Sequence, residues 1–230
     1  MSNFESDGSF ENNWNDQGEL AWNEFDWERY LREQEETTNR YLAFYESCLK
    51  NPQRIDEVAR NMGWDDSQWD SQEPAGTNSD DSREVIPEEF EPQSDVYTLH
   101  KNPIFISTKA LFLRARRKWE LIAPDSDKVP QKMAVGYLTS LQHGEEQSVQ
   151  AIHALEFGDY AMAISLFKRA LSAMNHTLSI LNDDQTIHWR HVSRYRSEVL
   201  MTMFDLREIW LRVIGECRSE LERPAEDDED

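Results

Sequence analysis

The stretch "WRHVSRYRSEVLMTMFDLREIWLRVIGEC", residues 189 to 217, decides the fold. Trp189, Val192, Arg196, Val199, Met203, Leu206, Trp210, Val213 and Cys217 alternate along it by threes and fours. That spacing lines one face of an α-helix over several heptads. A stripe of this length needs other apolar faces to cover it, and the residues before it supply three.

Working upstream, "GDY" at 158 to 160 opens a helix whose stripe is Ala163, Phe167, Ala170, Met174, Leu178 and Leu181. Gly158 suits the left-handed end of the preceding helix, and Asp159 suits the cap of the next. Before it, Pro130 opens a helix striped by Ala134, Leu138, Leu141, Glu145, Ser148, Ile152 and Leu155, with two polar members at a weak spot in mid-core. "KNPIF" opens the first of the set, with Asn102 as cap and Pro103 at a position where its missing donor costs nothing. Ile104, Thr108, Leu111, Ala115, Trp119 and Ile122 follow, ending before Pro124. Four amphipathic helices joined by short turns predict an all-α, up-down four-helix bundle over about 103–221.

The stretch "GDYAMAISLFKRALSAMN" resembles the second helix of a tetratricopeptide repeat, with Gly158, Tyr160, Ala163, Phe167 and Ala170 in matching places. The resemblance covers one motif at most. Gln147 and Gln150 stand where the first helix of such a repeat carries large apolar residues, and no second copy follows. A single helical hairpin accounts for the pattern.

Charge divides the chain. Residues 1–97 hold 7 Lys or Arg against 25 Asp or Glu, residues 98–221 hold 16 against 14, and the tail "ERPAEDDED" adds a further net −5 to reach −21 overall. An acidic arm and an acidic tail thus flank a near-neutral block. Such a balance opposes binding to nucleic-acid backbones or anionic lipid and favours basic protein surfaces or solubility alone. At 230 residues with 38% hydrophobic content, part of the chain lies outside any core.

Inside the arm, Asn23 to Lys50 predicts a helix with Trp27, Leu31, Thr38, Tyr41, Leu42, Tyr45, Cys48 and Leu49 on one stripe. "KNPQRIDEVARNMGW" predicts a second helix, capped by Asn51 and closed at Gly63. This hairpin, 23–63, is too small for a core of its own, so it must dock on the bundle, a second copy or a partner. Ala59 and Gly63 keep a helix-turn-helix spacing, but "DDSQWDSQ" puts acids where a groove-reading helix needs bases, which excludes nucleic acid as partner. Residues 1–22 read as a disordered acidic N-terminus, 64–97 as a flexible acidic linker and 222–230 as an acidic tail.

Trp14, Trp22, Trp27, Trp64 and Trp69 stand in this acidic surrounding as candidate partner-binding anchors. An indole buries on the order of 150–250 Å², worth several kcal/mol at roughly 25 cal/mol per Å². That offsets the ordering of a few residues at about 1–2 kcal/mol each. The surrounding acids would steer the segment to a basic groove. The tryptophans equally suit a strap across the chain's own bundle, a reading that fits Trp64 best because it adjoins a helix end. "RARRK", Arg114 to Lys118, is either the basic counter-surface for that strap or a solvated helix face.

Little else points to chemistry. Glu145 and Arg196 are expected to form a polar pair in the core. His176, His188 and His191 stand close enough for a three-imidazole zinc site, the basis of an alternative reading as a metal-binding or enzymatic bundle. An acidic mimic of nucleic acid is a second alternative. No phosphate loop, nucleophile elbow or dinucleotide fingerprint occurs, and no cofactor is called for. Cys48 and Cys217 read as buried thiols in a reducing compartment. With no signal-like N-terminus and no membrane-length apolar run, the expectation is a cytoplasmic, non-enzymatic interaction or scaffold protein. It would bind a protein partner or itself, the latter through the aromatic hairpin.

Overall fold

The computed structural model describes residues 22–64, 99–182 and 189–223. These form α1 (Glu24–Ser47), α2 (Arg54–Met62), a 3-10 turn (Leu99–Lys101), α3 (Pro103–Glu120), α4 (Gln131–Glu156), α5 (Tyr160–Leu181) and α6 (Arg190–Glu222). The protein is all-helical, with no strand among the described residues. No helix among them is long and apolar enough to cross a membrane.

Local chemistry sets the helix ends. Asn102 Oδ1 accepts from the amides of Ile104 and Phe105 at 2.9 and 3.0 Å, with Pro103 in the first turn. Asp159 accepts from Met162 N at 2.9 Å. Gly63 and Gly158 take φ of +79° and +71°, where a side chain is strained. Asn23 and Asp26 cap α1 reciprocally. One boundary differs from expectation. Asn51 Oδ1 accepts from Gln53 N at 2.9 Å, closing a turn of its own through Pro52, so α2 starts at Arg54 rather than directly after the Asn-Pro pair.

Helices α3 to α6 surround one core. α3 packs on α4 and α6, and α5 packs on the same two. At one end, Trp119 of α3 lies 4.4 Å from the ring of Tyr137 and 4.9 Å from that of Tyr195. Its indole donates to the carbonyl of Ala134 at 3.1 Å. The hydroxyls of Tyr137 and Tyr195 lie 2.7 Å apart, and Tyr195 donates to the carbonyl of Ala115 at 3.0 Å. At the other end Asn102 donates to Glu156. Between them Trp210 packs on Phe112 and Phe167 and donates to Thr108 Oγ1 at 3.1 Å. The indoles of Trp119 and Trp210 and the hydroxyls of Tyr137 and Tyr195 each have a partner, as burial requires.

The hairpin docks on this bundle. α1 runs along α3 and packs on α2, and Tyr41, Tyr45 and Val58 belong to the same buried cluster as the bundle's own stripes. Of the predicted acidic N-terminus, linker and tail, only Trp22, Trp64, Glu222 and Arg223 fall within the described residues.

Candidate functional site

The junction of hairpin and bundle is built around a buried carboxylate. Asp205 of α6 accepts from Arg54 Nε and Nη2, both at 2.5 Å, and from the hydroxyl of Tyr45. Beside it Arg114 of α3 is buried. Its Nε donates to Glu46 at 2.6 Å, its Nη1 donates to Thr202 at 2.5 Å, and the guanidinium lies 5.5 Å from the centre of the Tyr45 ring. Arg212 reaches Asp56 at 2.5 Å and Arg117 reaches Asn39 at 3.3 Å. Burial, then the hydrogen bond to Asp205, pushes the Tyr45 hydroxyl well above its ordinary range, so it stays a donor. Burial does the same to Tyr41. The network joins four elements, and its charges are matched in pairs: Arg54 with Asp205, and Arg114 with Glu46. Its chemistry is that of a clasp.

The basic run 114–118 is divided, with Arg114 buried, Arg116 and Lys118 half-buried and Arg117 exposed, and each finds a partner. Arg114 holds the hairpin, Arg117 reaches Asn39 at the surface, Arg116 pairs with Glu145, and Lys118 pairs with Glu198 at 2.8 Å.

Glu145 is buried, as its place on the stripe implies, but its expected partner is wrong. It pairs with Lys109 Nζ at 2.6 Å and with Arg116, both from α3. Arg196 instead donates to Asn182 at 2.5 Å at the end of α5. The reason is the order of packing: α4 lies against α3 and α5, and the polar position faces the seam with α3. Ser148 turns back to the carbonyl of Glu145 at 2.7 Å. An open groove runs beside this triplet, edged by Leu138, Gln142, Val149 and His153.

The tryptophans separate into two groups. Trp64 packs against the core and stacks on Tyr41 at 5.7 Å. Trp22, Trp27 and Tyr30 meet edge to face at the start of α1, with centroids 5.0 to 5.9 Å apart. Leu31, one turn after Trp27, is 49% exposed, and Phe25, on the other side of the helix among Glu28, Arg29 and Arg32, is 75% exposed. Trp14 and Trp69 lie outside the described residues. So does His188, while His176 and His191 are both on the surface. No group of three potential metal ligands forms among the described residues. Cys217 is buried, and burial pushes its thiol up to about 11. Cys48 is only half-buried, contrary to expectation, because it sits at the end of α1 in the turn.

Charge completes the surface. The described residues hold 23 Lys or Arg against 22 Asp or Glu, so the remaining segments, with 1 against 23, carry the net negative charge. No protein-family model matches the chain, and neither a curated protein nor a solved structure shows a significant likeness to it.

Proposed function

We propose that the chain is a non-enzymatic, cytoplasmic interaction or scaffold protein: a helical bundle that presents an acidic, aromatic-bearing arm to a protein partner. The observation that carries this reading is the start of α1, where Trp27 and Leu31 stand exposed beside Trp22 and Tyr30, and Phe25 stands exposed on the other side of the helix. Large exposed side chains next to clustered aromatics are the composition of an interface centre. Helix α1 carries seven acidic residues against Arg29, Arg32 and Arg40, and this net negative charge selects a basic rim on the partner. Nucleic acid is disfavoured by the same charge.

The test compares the full chain with a Phe25→Ser, Leu31→Ser double variant, both used to capture proteins from a lysate and identified by mass spectrometry. Proteins held by the first and lost by the second, with unchanged far-ultraviolet circular dichroism, support the reading. Equal recovery removes this surface from the account.

A further inference from the structure

Several exposed bases stand beside an acid: Arg29 by Asp26, Arg32 by Glu28 and Arg60 by Glu57. The hairpin side of α6 is likewise mixed in sign and satisfied, Arg194 by Glu198 and Arg212 by Glu208 and Asp56. Its α5 side differs. Arg196 donates to Asn182 at the end of α5, and Trp210 packs on Phe167, which fixes the side of α6 that faces α5. Arg207 and Arg218 follow Arg196 by steps of eleven, about three turns at 3.6 residues each, so the three form one row on that side. Helix α5 carries no Asp or Glu, and its Lys168, next to Phe167, stands level with Arg207. Thr177 and Ala173 occupy the flank of α5 that meets α4, and helical periodicity turns Lys168 to the other.

Lys168, Arg207 and Arg218 are exposed, and among the described residues their side chains have no ion pair and no hydrogen-bond acceptor. Described acids enter this face only at its end, as Asp159 at the cap of α5 and Glu222 in the last turn of α6. A row of one sign without counter-charges of its own is the footprint of an acidic occupant.

We propose that this occupant is the chain's own acidic tail, residues 224–230, folded back along α6 so that its carboxylates meet Arg218, Lys168 and Arg207. Origin and reach single it out. Helix α6 stops at Glu222, Arg223 is already extended with φ −64° and ψ 124°, and Pro224 cannot continue a helix. The stretch "PAEDDED" then holds five acids and no base. Seven extended residues span about 23–25 Å. At a rise of about 1.5 Å per helical residue the tail reaches back over some sixteen positions, as far as Arg207. The acidic segments 1–21 and 65–98 instead join the chain on the hairpin side, before Trp22 and after the Trp64 that stacks on Tyr41, and α1 there packs on α2 and α3. Solvated ion pairs are individually weak, but a short tether holds the tail at a local concentration of millimolar order.

Two measurements on the full chain test this. A water-soluble carbodiimide condenses a carboxylate with an amine it touches, releasing water, and Lys168 supplies the amine of the row. In the monomer band, peptide mass spectrometry should join Lys168 to a residue among Glu226 to Asp230. That yield should fall about tenfold in roughly 1 M sodium chloride, where the Debye length shrinks to about 3 Å. By heteronuclear NMR, the amide resonances of 225–230 should shift in an Arg207→Glu, Arg218→Glu variant whose circular dichroism is unchanged. They should stay in place in a Lys132→Glu, Arg190→Glu variant, whose bases start α4 and α6 at the other end of the bundle. Tail resonances indifferent to the first variant overturn the proposal whatever the coupling yields. So does Lys168 joined to residues 1–21 or 65–98, or to a second copy, since another segment then covers the row. The Phe25 and Leu31 variant should leave both readouts unchanged, so the two readings fail separately.

Discussion

Asp205 sits between Phe204, which faces outward, and Leu206, which faces the core, and its carboxylate serves residues 151 and 160 positions away. Removing it leaves the Arg54 guanidinium and the Tyr45 hydroxyl without their acceptor at a buried junction. Breaking a buried pair from one side costs about 3–5 kcal/mol. Asp205→Ala should therefore lose stability of that order in urea unfolding followed by tryptophan fluorescence. Asp205→Asn should lose less, since an amide carbonyl still accepts from Tyr45. A loss below about 1 kcal/mol would show that the freed groups find water, as solvated pairs do. Nothing in the local pattern marks this aspartate, because it lies off the apolar stripe and its partners come from another part of the chain. Glu145 is the converse case. Its place on a stripe makes its burial legible, while Arg116 and Lys109 are chosen by which helix α4 faces.

Between elements, the exposed edge of α3 and α6 is joined by Lys118 and Glu198. The hydrogen bond from Lys118 holds the Glu198 carboxyl below the ordinary carboxylate range, with a smaller pull from Arg194. A carboxyl depressed in the fold binds fewer protons there than in the unfolded chain. Its contribution is complete above the unfolded value of about 4.3 and is lost as pH falls through the lower folded value. Glu198→Gln should lower the thermal midpoint at pH 7 by an amount worth less than about 1 kcal/mol, the pair being partly solvated. The difference from the parent should close in more acidic buffer, below the folded value. A gap that persists there would assign the loss to packing and not to charge. Helix ends, in contrast, were readable from residue types alone: Asn102 with Pro103, Asp159, Gly63 and Gly158 all act where their backbone chemistry predicts. The start of α2 was not, because the Asn51 side chain accepts from Gln53 N and closes a turn that precedes the helix instead of capping it.

Over the whole molecule the hairpin and the bundle share one core through Tyr41, Tyr45 and Val58, locked at the edge by Arg54, Arg114 and Arg212. Elements that share a core unfold together. Urea transitions followed by circular dichroism and by tryptophan fluorescence should coincide. A separate early loss of the Trp64 and Tyr41 stack would instead make the hairpin an independent unit. The all-helical class, the order of the long helices, the caps of α3 and α5, and the need of the small hairpin for a host follow from the residues in order. They depend on periodicity and on backbone preferences that act within a few positions. The host itself, the partner of Glu145, the clasp at Asp205 and the division of tryptophans between core and surface were decided only in three dimensions. Each depends on which helix faces which, and that is set by packing the stripes together, since a stripe specifies that it will be covered but not by what.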